Sequence, residues 1–242
     1  MRVDVFLFQN GYTKSRQYAK TIIKEGRLLV NGRVCEKPSL EVTPEDTITI
    51  TGENLQYVGR GGLKLETAIN TFGITLKDLV CIDIGASTGG FTDCMLQNGA
   101  CKVYAVDVGH GQLDSKLLSN DKVVNLEGTN IRNVDSSTFE GSLVDFISID
   151  VSFISLKLVL PTVYTLLRSG GSVVALIKPQ FEAGKGSLSK GGIVKSEKVR
   201  QSVVQDIQSF SIGLGFKVLG VCQSAITGGD GNVEYLIYMS KE

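Results

Sequence analysis

Histidine is almost missing from this sequence: one residue, His110, among 242. A multi-histidine zinc centre and an imidazole relay are therefore excluded, and no bound metal is expected. Paired cysteines are missing too. Cys35, Cys81, Cys94, Cys101 and Cys222 form no Cys-x-x-Cys motif, and an odd number set in apolar stretches reads as reduced thiols of a cytosolic protein. No apolar run, Val173 to Ile177 being typical, approaches the roughly 18 residues a membrane helix needs. Arg2 and Asp4 stand where a signal peptide would be building its apolar stretch. A cytoplasmic protein with no membrane partner is expected. Net charge is absent as well, with 25 Lys and Arg against 25 Asp and Glu. What is present, 42% hydrophobic residues and 28 glycines, fits one or two globular domains.

The neutrality conceals an uneven layout. Residues 1 to 37 carry eight bases, Arg2, Lys14, Arg16, Lys20, Lys24, Arg27, Arg33 and Lys37, against three acids. The next 22 residues carry four acids and no Lys or Arg, so the positive field belongs to one end of a small unit and a polyanion is its natural partner. Thr13 is the expected cap of a helix running to Gly26, with Ala19, Ile22 and Ile23 as its apolar stripe. Arg16, Lys20 and Lys24 then recur every fourth residue along one flank, matched either to solvent or to successive phosphates. Leu28–Val30 and Arg33–Val34, joined by Asn31-Gly32, read as a hairpin. A further strand is expected over 45–50.

Helix, basic flank, hairpin and strand together resemble the RNA-binding module named after ribosomal protein S-four, over about residues 2–52. The resemblance implies a small α+β domain, 1–52, that binds structured RNA, with the eight bases as phosphate contacts. The glycine-rich stretch that follows predicts a linker over 53–62.

Residues 63–242 alternate apolar strands with helical segments. Strands are expected at 80–84, 102–106, 123–126, 144–149 and 172–177, and helices at 90–97, 113–118, 156–168 and 196–212, with Pro161 kinking the third. This is the pattern of a doubly wound parallel sheet. Apolar segments at 216–225 and 233–239, joined by Gly228-Gly229-Asp230-Gly231, end the chain as an antiparallel hairpin. A methyltransferase sheet closes that way, whereas a dinucleotide-binding fold would continue in parallel.

Asp83-Ile84-Gly85-Ala86-Ser87-Thr88-Gly89-Gly90-Phe91 passes from a strand into a helix and brings backbone N–H groups to a ligand. A dinucleotide fingerprint would need glycine at 87, although Asp107 at the next strand end could hold a ribose diol for either kind of cofactor. Gly85-x-Ser87-x-Gly89 also matches a hydrolase nucleophile elbow. That reading lacks its base, because His110 lies too early in the chain. A glycine turn without function is disfavoured by three glycines within six residues.

Two charged residues end apolar strands, Asp150 and Lys178, where a charge is costly unless paired or used. Pro179 restricts Lys178 to extended backbone. With Lys64 and Glu234 they match, residue by residue, the Lys-Asp-Lys-Glu tetrad of FtsJ-like ribose 2′-O-methyltransferases. The strings R-G-G-L-K-L, D-I-G-A-S-T-G-G-F-T-D, S-I-D-V-S-F-I-S-L, K-P-Q-F-E and G-N-V-E-Y resemble the TlyA group, the haemolysin-A-like rRNA methyltransferases, over nearly the whole chain. Thr88 departs from wider FtsJ relatives, which usually carry proline there.

The resemblance implies a Rossmann-like methyltransferase domain that binds S-adenosylmethionine through Asp83, Gly85, Ala86, Ser87, Gly89, Gly90, Phe91, Asp107, Thr129 and Asp150. Lys64, Asp150, Lys178 and Glu234 would be catalytic. It further implies a cytidine 2′-hydroxyl of ribosomal RNA as acceptor, the large subunit favoured, and a monomer or weak dimer. The rival is an RNA-binding protein that keeps the fold only as a scaffold. The family's old haemolysin label finds no pore-forming segment here. Lys178 is the expected base or electrostatic stabiliser, and the basic, glycine-rich stretch 181–200 is either a flap over the substrate or a surface loop.

Overall fold

A computed structural model describes residues 1–13, 15–24, 26–50, 56–189, 191–228 and 231–242. Expectations resting on Lys14, Lys190, Gly229, Asp230 and residues 51–55 lie outside the described residues. The chain divides into two compact units, Met1–Asn54 and Leu55–Glu242.

The first unit holds helices α1 (Val3–Gln9) and α2 (Arg16–Lys24) against strands β1 (Leu28–Val30), β2 (Arg33–Val34) and β3 (Ile48–Ile50). The hairpin forms as the Asn-Gly pair dictates. Asn31 at φ 52° and Gly32 at φ 79° supply the two positive angles of the turn, and β1 pairs with both β2 and β3 antiparallel. Val3, Leu7, Ala19, Ile22, Ile23 and Leu28 meet in one apolar core. Helix α1 has no counterpart among the expected elements, and α2 starts later than its supposed cap. Ser15 accepts the Tyr18 N–H, whereas Thr13 is buried and its hydroxyl donates to the Ser15 carbonyl. Asp4, fully buried, accepts from Arg2 at 3.0 Å and from Arg16 at 3.0 Å. Those guanidinium groups hold its carboxyl down at about 2. Arg2 and Arg16 thus have a structural anchor, though each is half exposed. Lys20, Lys24, Arg33 and Lys37 are exposed and Arg27 is partly so.

The second unit is built on a sheet that has, among the described residues, seven strands in the order β6-β5-β4-β7-β8-β10-β9. They are β4 (Val80–Ile84), β5 (Lys102–Val106), β6 (Val123–Leu126), β7 (Val144–Ile149), β8 (Leu167–Ile177), β9 (Phe216–Gln223) and β10 (Tyr235–Lys241), with the short helices α5 (Ser115–Leu118) and α7 (Pro179–Glu182) in the connections after β5 and β8. Strands β4 to β8 run parallel. Strand β10 is antiparallel to both β8 and β9, so the terminal hairpin inserts its second strand beside β8. Alternation along each strand feeds two cores. Ile82, Ile84, Ile147, Ile149, Val173 and Ile177 face the layer of α6 (Leu160–Leu166) and α8 (Glu197–Gly213). Cys81, Val103, Phe146, Val174 and Leu176 face α3 (Gly62–Phe72) and α4 (Gly90–Gln97).

Two expectations fail here. Pro161 kinks nothing; it sits in the first turn of α6, after a separate 3-10 turn at Leu156–Leu158, because proline lacks the donor that a first turn does not use. The described part of the supposed linker, 56–62, is folded into the second unit. Tyr57 is buried in the core beside α3, the Val58 N–H donates to Asp93 at 2.9 Å, and Gly62 begins α3. Its glycines serve packing: a methyl on Gly62 would overlap the Tyr57 ring, and one on Gly59 would crowd the Thr88 hydroxyl. No helix among the described residues is long and apolar enough to cross a membrane.

Candidate active site at the carboxyl ends of the strands

Strand β4 ends in a loop of alternating left-handed residues: Gly85 at φ 84°, Ser87 at φ 49° and Gly89 at φ 93°. The Gly85 and Ala86 N–H groups donate to the Val106 carbonyl. Asp107, just past β5, accepts from the Ser87 N–H at 2.7 Å and the Gly109 N–H at 2.8 Å. Each of its oxygens retains a lone pair for a diol. At Gly85 a side chain has no room, since a methyl would overlap the Asp150 carbonyl.

Two cavities share Gly85, Ser87 and Asp150 in their walls. The larger, about 510 Å³, extends along Asp107, Thr129 and Phe153. The smaller, about 280 Å³, runs past Ala86, Gly90, Phe91 and Lys64. The S-adenosylmethionine expected from the resemblance fits this arrangement. The larger cavity offers a carboxylate with free lone pairs for the ribose, the Gly85 cradle admits no Cβ, and both lead to Asp150. Alanine at Gly85 is expected to cost about 1–2 kcal/mol for the left-handed backbone alone. It should also weaken S-adenosylmethionine binding at least about tenfold, as calorimetric titration would read.

Eight of the residues expected at the cofactor line these cavities: Gly85, Ala86, Ser87, Gly90, Phe91, Asp107, Thr129 and Asp150. Two do not. Gly89 packs on Leu113 and Leu117. Asp83 is fully buried behind the loop, because strand alternation turns it toward α4, where it accepts from Thr92 at 2.7 Å and Ser148 at 3.1 Å. Burial pushes its carboxyl up to about 7, against the lowering effect of those hydroxyls. A carboxyl raised by folding binds its proton more tightly in the native state, so this group's contribution to stability falls as pH rises from about 4 to 7. Asp83→Asn should therefore gain stability relative to wild type across that window, and a difference in denaturation midpoint that is flat with pH would contradict it.

The four charged residues converge. Lys64 Nζ lies 2.7 Å from Glu234 Oε2 and 3.9 Å from Asp150 Oδ2. Lys178 Nζ lies 2.6 Å from Asp150 Oδ1, off the axis of a proper hydrogen bond, so that buried oxygen keeps an unused lone pair. Lys64, Lys178 and Glu234 are buried and Asp150 is partly exposed at the cavity wall, so two cations and two carboxylates neutralise one another with little water between them. Each stands where the fold turns: Lys64 in the first turn of α3, Asp150 after β7, Lys178 after β8 and Glu234 before β10.

Three neighbours were not singled out from the sequence. Ser152 accepts from Lys178 Nζ at 2.9 Å, and Gln180 donates from Nε2 to Glu234 Oε1 at 3.1 Å. Phe153, 91% exposed and at φ 63°, leans on Phe181. All three lie within three residues of Asp150 or Lys178, and that proximity was the available signal. In the stretch 181–200, Glu182 accepts from Ser155 and from the Leu156 N–H, while Asn232 accepts from the Val194 N–H. Its described part is thus moored at both ends.

The chain matches the FtsJ-like methyltransferase family over residues 57–241 and the S4 domain over residues 1–48. A Bacillus subtilis protein provisionally named as the rRNA methyltransferase YqxC is 47% identical over 98% of this chain and 85% of its own length. The Mycobacterium tuberculosis protein named 16S/23S rRNA (cytidine-2′-O)-methyltransferase TlyA is 38% identical over 98% of this chain and 89% of its own. A solved structure from Streptococcus thermophilus, carrying a provisional hemolysin name, superposes with a TM-score of 0.81 at 45% identity, covering 100% of this chain and 88% of that one. The fold, the glycine loop with its acid, the four converging charges and these relatives agree, and the chain belongs to the FtsJ-like methyltransferases, in the TlyA group that joins an S4 domain to the catalytic domain.

Proposed function

We propose that this protein methylates the 2′-hydroxyl of a cytidine in ribosomal RNA, with large-subunit RNA as its first substrate. The observation that carries the reading is the convergence of Lys64, Asp150, Lys178 and Glu234 at a wall shared with the cofactor cavities. The cytidine acceptor comes from the printed name of the mycobacterial relative, which covers the RNA of both subunits; the preference for the large subunit is carried by the resemblance stated from the sequence.

When bound, S-adenosylmethionine supplies an electrophilic methyl group on a sulfonium. The chain must hold the ribose hydroxyl in line with that methyl and manage its proton, and such positioning can supply on the order of 7–11 kcal/mol of the barrier. Asp107 and the loop 85–91 would hold the donor. Asp150 lines both cavities and pins Lys178. Ser152 accepts a hydrogen bond from Lys178 Nζ, so the ammonium is directed rather than free to rotate. Lys178 as an ammonium then stabilises the alkoxide as it forms, or, once it has released a proton to solvent, receives the hydroxyl proton as a neutral amine; Lys178→Arg separates the two, since a guanidinium keeps charge but accepts no proton. Lys64 and Glu234 neutralise each other and fix the far side.

The N-terminal domain, 1–52, holds the RNA through Arg2, Arg16, Lys20, Lys24, Arg27, Arg33 and Lys37, and the sequence adds Lys14. Each lost phosphate contact should lower the slope of log affinity against log salt by about one; an unchanged slope for Lys20→Ala would remove that residue from the interface. We place the protein in the cytoplasm, acting as a monomer or weak dimer. Incubation of isolated large and small ribosomal subunits with labelled S-adenosylmethionine tests the reading. Label in the RNA of either subunit supports methyl transfer, label confined to the small subunit corrects the target, and no label on any particle or naked RNA overturns the reading.

A further inference from the structure

Gln180 stands two residues beyond Lys178, at the start of the short helix Pro179–Glu182. Its Nε2 donates to Glu234 Oε1 at 3.1 Å, while the other oxygen of the same carboxylate accepts from Lys64 at 2.7 Å. The carboxylate accepts only, so it dictates which end of the amide faces it. The far end, Gln180 Oε1, is buried and meets no donor. A glutamine retained for packing would satisfy both ends; this one spends its single well-placed hydrogen bond on a residue of the tetrad. Neither Gln180 nor Glu234 lines the cavities among the described residues, so the amide acts through its neighbour.

We infer that Gln180 is a positioning residue of the methyl-transfer site: it fixes the rotamer of Glu234 and, through the shared carboxylate, the place of the Lys64 ammonium beside Asp150. The inference rests on the reading of Lys64, Asp150, Lys178 and Glu234 as catalytic. It extends that set by a neutral member whose donor cannot be replaced by a carboxylate at high pH. The charged groups around position 180 are Glu234 just before β10, Lys64 from α3, Asp150 after β7 and Lys178 after β8.

The test compares Gln180→Leu and Gln180→Glu with wild type in the full-length protein. In Gln180→Leu, kcat for methyl transfer to ribosomal subunits should fall on the order of tenfold, the equivalent of about 1.4 kcal/mol, with the KM for RNA and the Kd for S-adenosylmethionine within about threefold. Gln180→Glu should be similarly impaired at pH 8.5. Its ratio to wild type should rise several-fold toward pH 6, because a protonated glutamic acid donates to Glu234 as the amide does, whereas an ionised one repels it. The lysine ammonium NMR signal of Lys64, assigned with Lys64→Arg, should shift in Gln180→Leu without substrate present. Wild-type kcat in Gln180→Leu, or a Gln180→Glu ratio flat with pH, overturns the inference, and Gln180→Glu alone decides if the leucine variant does not fold. Failure of the wild type to methylate any RNA would sink the functional reading instead, and an unmoved Lys64 signal would then still count against Gln180.

Discussion

Alanine at Lys178 should lower kcat for methyl transfer by on the order of 10²–10⁴-fold, the range spanned when a positioned proton-transfer or charge-stabilising group is removed. Binding of S-adenosylmethionine should stay near the wild-type value, because Lys178 does not line the cofactor cavities. The large effect follows from how tightly this amine is held. Pro179 fixes the backbone from which it leaves the strand, Asp150 Oδ1 lies 2.6 Å away, and Ser152 accepts at 2.9 Å. One ammonium proton is thereby assigned to Ser152, while the Asp150 carboxylate holds the charge by proximity, without a hydrogen bond of its own. Single-turnover transfer to ribosomal subunits reads the loss; a rate within about threefold of wild type would remove Lys178 from the chemistry.

Alanine at Glu234 has the largest expected effect on stability. It leaves the Lys64 ammonium buried, with Asp150 at 3.9 Å as its remaining carboxylate, and strips Gln180 of its acceptor. Removing one partner of a buried pair typically costs about 3–5 kcal/mol, which denaturant titration of the full chain would detect. Replacing both charges together, as Lys64→Met with Glu234→Leu, should restore most of that stability, because apolar pairs of similar volume often match a buried ion pair. It should not restore transfer. A single variant that loses less than about 1 kcal/mol would mean that the pair is hydrated and its burial overstated.

Much of the catalytic unit was legible because its signals were local. Five parallel strands announced themselves as apolar runs, and charges closing those runs at Asp150 and Lys178 were conspicuous for the energy they would cost. The insertion of β10 between β8 and β9 was not legible, since two antiparallel strands joined by a glycine turn look alike whichever one reaches the sheet. Glycine misled in one place and informed in another. At Gly85 it marks a cradle where the Asp150 carbonyl excludes a side chain, whereas Gly59 and Gly62, taken for a linker, are small because Thr88 and Tyr57 press on them. Helix α1 escaped notice because seven residues with little polar punctuation carry no readable period. The burial of Asp83 was implicit in strand alternation, yet its place in a cofactor-binding string concealed it. Ser152 and Gln180 were signalled only by standing two residues from Asp150 and Lys178; their hydrogen bonds to Lys178 and Glu234, 26 and 54 residues away, appear once the chain is folded.

On the proposed function, these four converging charges move a methyl group to a ribose oxygen. Nucleoside mass spectrometry of rRNA tests it most directly, after incubating unmodified ribosomal subunits with the wild-type protein and S-adenosylmethionine. The expected product is 2′-O-methylcytidine, absent when Lys178→Ala replaces wild type. A methyl group found on a base, or 2′-O-methylcytidine formed equally well by the variant, would contradict it.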